Sequence, residues 1–310
     1  LDREGRLGFF APRSNSVADL EACQIVSKPF LSRLPALRQH LRSMGPAQGE
    51  LSTLESRDGA VVLGELRLGG GDGLQISSKV KEGGRGPFDG FRVVDAGGRV
   101  IGSDGPSELT LSAGGATFEV SVSSFFQGNL FLLDAFLGEI RSALRAVLRK
   151  EQIGRRPLQA VDLFAGVGFM TRALVELAAE AGGGEVTAVE IEPSAAHSLS
   201  KNLQAWHREG LPLARAARAT AESFLHSLNS PVDVLLADPP RAGLSPAVRR
   251  DILRLAPRCL LMVSCDPPTL ARDLAALKDR YAVTRLTLLD LFPQTHHVET
   301  TALLAARPIG

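Results

Sequence analysis

The sequence predicts a doubly wound α/β domain over residues 125–310, preceded by a smaller α+β domain over residues 1–124. Three observations carry that expectation. The chain has 310 residues, enough for two ordinary cores. After Gly128, short unbroken apolar runs alternate with helix-length segments, the pattern of a mainly parallel sheet covered on both faces. Before that point, glycine-rich punctuation separates short alternating or β-branched runs, which suggests antiparallel strands.

In chain order, "PFLSRLPALRQHLRSM" has helical periodicity. "AVVLGELRL", "FRVVD" and "ATFEVSVSS" follow as strands, set off by "GGGDG", "KEGGRG" and "DAGGRV". "NLFLLDAFLGEIRSALRAVLRK" opens the second part as a long amphipathic helix. The runs "AVDLF", "EVTAVEI", "VDVLLAD" and "RCLLMVS" are its buried strands. In such a sheet ligands gather at the carboxyl ends of the strands, so the residues that close each run are the candidates for function.

Composition narrows the class. With 44% hydrophobic and 22% charged residues, the chain reads as a globular protein of the cytoplasm. No apolar run approaches the roughly 18 to 20 residues that span a bilayer, and the start does not read as a signal peptide. That start is not Met, so a processed or truncated chain is expected. Three cysteines without close spacing make neither a disulfide framework nor a zinc site, and of six histidines only His296 and His297 cluster. The net charge of +1 neither signals nor excludes a nucleic-acid partner. Basic residues do gather at Arg141, Arg145, Arg149, Lys150, Arg155 and Arg156, where a solvated helix face is the first reading.

The first buried run of the second part ends in "DLFAGVG", where Gly166 and Gly168 allow a tight turn at the start of a helix. The next run places Glu190 at a strand end. An acid about 20 residues downstream of the glycines suits a ribose diol. Phe169 stands where a dinucleotide site continues toward its third glycine, and Asp162 precedes the turn. An adenosyl cofactor bearing an ammonium fits this pattern better than a pyrophosphate does, which points to S-adenosyl-L-methionine.

The next two strand ends repeat one device. "ADPPRAG" leaves Asp238 at the sheet's edge, its backbone fixed by two prolines, able to bond a planar heterocycle. "VSCDPPTLARD" repeats Asp-Pro-Pro one strand later and inserts Cys265 where the apolar run stops. From that segment alone, packing and nucleophile are equally supported. A thiolate there, near a helix amino end and Arg241 or Arg272, is expected to have a lowered pKa. Cys259, inside the run, reads as a buried small hydrophobe. Glu299, in "DLFPQTHHVET", leads into the final apolar run and can return a carboxylate to the same place, although alone it reads as a surface residue.

Together these residues resemble the S-adenosylmethionine-dependent RNA 5-methyluridine methyltransferases, which modify ribosomal or transfer RNA. The resemblance rests on "FFQGN" (125–129), "DLFAGVG", "DPPRAG", "SCDPPTLARD" and "DLFPQTHHVE", in that order, and covers about residues 123–310. Weaker similarity in "GRLGFFAPRSNSVADLEACQIV" marks the first part as the family's central domain. The resemblance implies a Rossmann-like class I methyltransferase domain and RNA as partner. It implies that Cys265 adds to C6 of a uridine and that Glu299 removes the C5 proton. Gln127, Phe164, Phe169, Glu190 and Asp238 match positions lining the cofactor and base pocket, with Phe169 replacing a small polar residue usual in the family.

Two further departures concern the first part. Many members bind a 4Fe-4S cluster through four cysteines, of which only Cys23 has a counterpart here, so the cluster is not expected in this chain. The small RNA-binding β-barrel that often precedes the central domain is also not seen. Ribosomal RNA is the expected substrate over transfer RNA, from "GRLGFFAPRSN" and "DLFPQTHHVE". The alternatives are an amino-group methyltransferase, disfavoured by Arg241 after the prolines, and a catalytically idle RNA-binding module. A Cys-His hydrolase lacks an Asn or Asp placed to orient His296 or His297.

Overall fold

The computed structural model describes residues 1–2, 6–11, 14, 16–44, 48–69, 84–151, 157–295 and 297–307, with no side-chain description at 148–151. The chain divides into two compact units. One comprises Leu1–Leu111 and Val120–Ser123, the other Ser112–Glu119 and Ser124–Gly310.

In the first unit, strands β1 (Gly8–Phe10) and β2 (Val17–Asp19) form an antiparallel pair. Helix α1 (Lys28–Ser43) starts where the Ser27 hydroxyl accepts from the Phe30 amide, and it buries Leu34, Leu37 and Leu41. A four-stranded sheet runs in the order β3 (Gly49–Glu55), β4 (Val62–Leu68), β5 (Gly90–Val94), β6 (Val100–Asp104). Its core joins Leu37, Leu41, Val62, Leu66, Phe88, Phe91 and Val93. The expectation of antiparallel strands holds for β3–β4 and β5–β6 but not for β4–β5, which are parallel. The cause is the connection between Leu68 and Gly90, long enough for the crossover that a parallel pair requires. "GGGDG" after Gly69 and the start of "KEGGRG" lie outside the described residues.

A hairpin follows, β7 (Glu108–Ala113) with β8 (Ala116–Ser121), turning at Gly114 and Gly115, both in the left-handed region. The second unit is then built from α2 (Leu133–Glu151), β9 (Leu158–Leu163), α3 (Thr171–Glu180), β10 (Gly184–Val189), α4 (Pro193–Arg208), β11 (Ala214–Ala217), α5 (Ala221–Ser227), β12 (Val234–Ala237), α6 (Pro246–Leu255), β13 (Cys259–Ser264), α7 (Pro267–Leu277), β14 (Tyr281–Leu289) and β15 (Glu299–Ala306).

Its seven-stranded sheet has the order β11-β10-β9-β12-β13-β15-β14. The first five strands are parallel, and β15 runs antiparallel to both neighbours. The chain moves outward from β9 to β11 and then returns to β12 on the other side of β9. This reversal makes the β9–β12 boundary the switch point at which a doubly wound sheet opens a crevice. Among the described residues, no helix is long and apolar enough to cross a membrane.

Candidate active site at the strand ends

Side-chain alternation decides which residues can meet. Val161, Leu163, Leu235, Ala237, Leu260, Met262, Ala302 and Leu304 all belong to one core cluster on one face of the sheet. Successive residues in a strand point to opposite faces. Asp162, between Val161 and Leu163, therefore turns to the other face, as does Asp238 when the alternation continues past Ala237. Cys265 and Glu299 fall in the same phase, set by Met262 and Ala302. That face is the one carrying α2, whose Glu139 accepts from the Thr301 hydroxyl at 3.4 Å. Four chemistry-bearing residues from β9, β12, β13 and β15 thus share one face at one end of the sheet.

The turn after β9 is shaped by backbone that most residues avoid. Phe164, Gly166 and Gly168 have φ of 61°, 56° and 95°. A Cβ on Gly168 would come within 2.8 Å of Leu199 and 3.2 Å of Trp206, so this glycine lets α4 pack closely. A Cβ on Gly166 would meet open space. The Asn202 side chain locks the turn by donating to the Val167 carbonyl at 2.9 Å. Glu190 accepts from the Gly166 amide at 2.8 Å through one oxygen and from the Glu192 amide at 2.7 Å through the other. Its carboxylate is held rigidly, with a second lone pair on each oxygen still available.

The two Asp-Pro-Pro loops are clamped together. Asp266 caps α7 by accepting from the Thr269 amide at 2.9 Å, which places Cys265 immediately before the helix amino end. Asp273, 1% exposed, accepts from the Leu244 amide at 2.8 Å and from Arg249 at 2.6 Å. Arg272 bonds Asp273 and the Ala242 carbonyl. Asp273 closes the "SCDPPTLARD" segment. Its burial between the "DPPRAG" loop and α7 makes it the fastener that sets one strand-end loop against the next.

The electrostatics are those of crowded acids. Burial pushes the Asp162 carboxyl up to about 8; its bond from Thr171 opposes this, while Asp238 and Glu190 add to it. Burial takes Asp238 up to about 7. Burial, followed by Asp238, takes Glu299 up to about 8. One oxygen of Asp162 and one of Glu299 are buried with no hydrogen-bond partner. Cys265 corrects the sequence expectation, because its thiol pKa is raised. Burial and the Glu299 carboxylate outweigh the opposing Arg241 guanidinium, and Asp238 raises it further. Arg272 is occupied by Asp273 and the Ala242 carbonyl.

Of the remaining predicted residues, Gln127 is buried and Phe164 is partly buried against the core. The Phe169 ring is buried among Phe118, Phe126 and Phe136, with centroids 5.4, 5.7 and 5.6 Å away. Cys259 is buried inside β13, and Cys23 packs against the first unit's core. Among the described residues no group of three or more His, Cys, Asp or Glu side chains is arranged to hold a metal ion. Arg141 and Arg145 are ion-paired to Glu176 and Glu180. Arg155, Arg156, His296 and the side chains of Arg149 and Lys150 lie outside the described residues.

Residues 161–307, which take in the end of β9, the other six strands of the sheet and all four converging side chains, match the family described as tRNA (Uracil-5-)-methyltransferase. That match takes in 147 of the chain's 310 residues. Relatives include an RNA methyltransferase of Thermosynechococcus vestitus, 35% identical over 67% of this chain and 44% of that protein. The 23S rRNA (uracil(1939)-C(5))-methyltransferase RlmD of Shewanella sp. strain ANA-3 is 29% identical over 96% of this chain and 65% of its own length. The chain thus spans about half to two thirds of these curated relatives. In structure, it resembles the Pyrococcus abyssi tRNA (uracil-54, C5)-methyltransferase in complex with S-adenosyl-L-homocysteine, with a TM-score of 0.68 over 94% of this chain and 70% of that one. At 20% identity that likeness is one of fold, a Rossmann-like methyltransferase fold.

Proposed function

We propose that this chain is a (uracil-5-)-methyltransferase that transfers a methyl group from S-adenosylmethionine to C5 of a uridine in RNA. The carrying observation is that Cys265, Glu299 and Asp238 share one face at the strand ends, beside the turn shaped by Gly166. The fit of the cofactor is supported by charge. Asp162, Asp238 and Glu299 are crowded, raised in pKa, and in two cases carry unpartnered buried oxygens. Such a site suits a ligand bearing a sulfonium and an ammonium, whereas a pyrophosphate would add like charge. Glu190 would hold the ribose diol, Gly166 would allow close approach of the ligand, and Phe164 and Gln127 would line the pocket. Phe169, through its buried ring, would back the turn rather than touch the ligand.

The bound cofactor supplies a methyl carbon activated by the positive sulfur. The protein's part follows from the weakness of uracil C5 as a nucleophile. After losing its proton to solvent, Cys265 forms an S–C6 bond, and the C5=C6 electron pair becomes an enolate with charge at C5 and O4. C5 would then take the methyl as its bond to sulfur breaks, that bonding pair staying on sulfur as a neutral thioether. Glu299 removes the remaining C5 proton, whose bonding pair restores C5=C6 and expels the Cys265 thiolate. Burial makes Glu299 a stronger base than an ordinary carboxylate, which suits that step.

Ribosomal RNA is the favoured substrate, supported by the amino-terminal segment's likeness to that branch, and transfer RNA is the alternative. The first unit, containing the central-domain segment, is proposed to contact RNA, in the cytoplasm. Mass spectrometry of ribosomal and transfer RNA from cells lacking the protein tests this reading. Loss of one 5-methyluridine from ribosomal RNA is expected; unchanged RNA of both kinds would sink it.

A further inference from the structure

Phe131 is the most exposed large apolar side chain among the described residues, at 82%. A single exposed apolar residue is ordinary on a protein surface. Its position sets this one apart. The segment bearing it is pinned on both sides. The Asn129 side chain donates to the Leu291 carbonyl at 3.3 Å, and the Leu132 amide donates to the Asn129 carbonyl at 3.3 Å, closing a turn whose tip is Leu130 and Phe131. Leu133, which opens α2, is fully buried. The turn is therefore anchored while its aromatic ring stands in solvent, forgoing the stabilisation that burial would give.

The anchor also fixes where the turn stands. Leu291 lies two residues beyond Leu289, and Leu289 is paired directly with Glu299 in the sheet. Phe131 is two residues from Asn129, within about 7 Å of it along the chain. It consequently stands at the same end of the sheet as Glu299 and Cys265. A uridine drawn out of an RNA stack leaves its neighbours with an unpaired π face. A phenyl ring offers such a base a surface that makes no demand on its identity.

We infer that Phe131 is a stacking platform for an unpaired nucleobase next to the target uridine, an inference that rests on the RNA-uridine reading above. The ligand is thus a single-stranded nucleotide of the substrate, engaged outside the pocket that holds the reacting base. The site sets RNA affinity and has no part in bond making.

Fluorescence anisotropy tests this with two labelled probes, a short oligouridylate and an abasic ribose-phosphate oligomer of equal length, on the whole chain. Phe131→Ala should weaken oligouridylate binding about tenfold and leave abasic binding unchanged. Phe131→Trp should restore the affinity, whereas Phe131→Leu, apolar without a π face, should not. Equal loss on both probes, wild-type affinity in Phe131→Ala, or rescue by leucine would overturn the assignment. A change in oligomeric state with no dependence on bases would assign Phe131 to a second copy of the chain and also overturn it. If the wild-type chain methylates RNA and the Phe131 variants bind as it does, only this inference fails. If the wild type binds neither probe and methylates no RNA, the functional reading fails with it.

Discussion

The second unit handles charge in two opposite ways. Where α2 meets α3, every described cation has an anion. Arg141 and Arg172 both bond Glu176, Arg145 bonds Glu180, and Arg172 also reaches Glu209. At the strand ends, Asp162, Asp238 and Glu299 are set against one another, while Arg241 acts on Cys265 and, after His297, on Asp266. The effect on titration is opposite too. Burial alone would raise Glu176, yet Arg141 and Arg172 hold its carboxyl below the usual range, while Asp162 rises to about 8. A paired cluster offsets its own burial; an unpaired buried one is a standing cost that a cationic ligand would offset.

Cutting each cluster should therefore have a different consequence. The largest expected effect is on chemistry: Cys265→Ala should reduce methyl transfer to background in a radiolabel assay, with the melting temperature little changed. Next in size, Glu176→Gln should cost about 2 kcal/mol in urea unfolding, because two guanidinium groups lose their shared anion. Asp162→Asn should go the other way. It removes an uncompensated buried acid, so stability at pH 8 should be kept or raised, while calorimetric affinity for S-adenosylmethionine falls. A variant that loses stability and keeps cofactor affinity would break the comparison.

A pH series sharpens the same contrast. Asp162, Asp238 and Glu299 have folded pKa values above their unfolded ones, so between about pH 4 and 8 the folded state holds more protons. Their contribution to stability is fully present below about pH 4 and is lost as pH rises through about 7 to 8. Denaturant midpoints should fall across that window in the free protein and fall less with S-adenosylmethionine bound. The smallest effect belongs to Arg145→Ala, whose pair with Glu180 is exposed at 46% and 38%. Removing it should change stability by less than about 1 kcal/mol and leave RNA affinity intact.

How much of this was legible in the sequence depended on the kind of signal. The strands ending in Leu163, Val189, Ala237 and Ser264 were readable because burial on both faces makes their runs continuously apolar. β11, Ala-Arg-Ala-Ala, lies at the sheet edge and has no such run. β14 alternates exposed Leu286 and Leu288 with residues that face α2, and it too gave no buried-strand signal. Cys265 and Asp238 stood out because a thiol and an acid at strand ends are chemically conspicuous, whereas Glu299, which alone reads as a surface residue, is buried at 3% exposure where β15 enters the sheet. The sign of the Cys265 shift did not stand out, because it depends on Glu299 and Asp238 approaching in space, from positions distant in sequence. Asp273 was silent for a related reason: its partners Leu244 and Arg249 come from another loop. The pairing of Arg141 and Arg145 was hidden likewise, since their glutamates lie on the next helix.

The covalent chemistry is tested most directly by trapping it. Glu299→Gln, incubated with S-adenosylmethionine and substrate RNA, is expected to accumulate a protein–RNA adduct, and mass spectrometry should place the methylated uridine on the peptide containing Cys265. Methylated RNA released by Cys265→Ala, or an adduct attached at any other residue, would contradict the account.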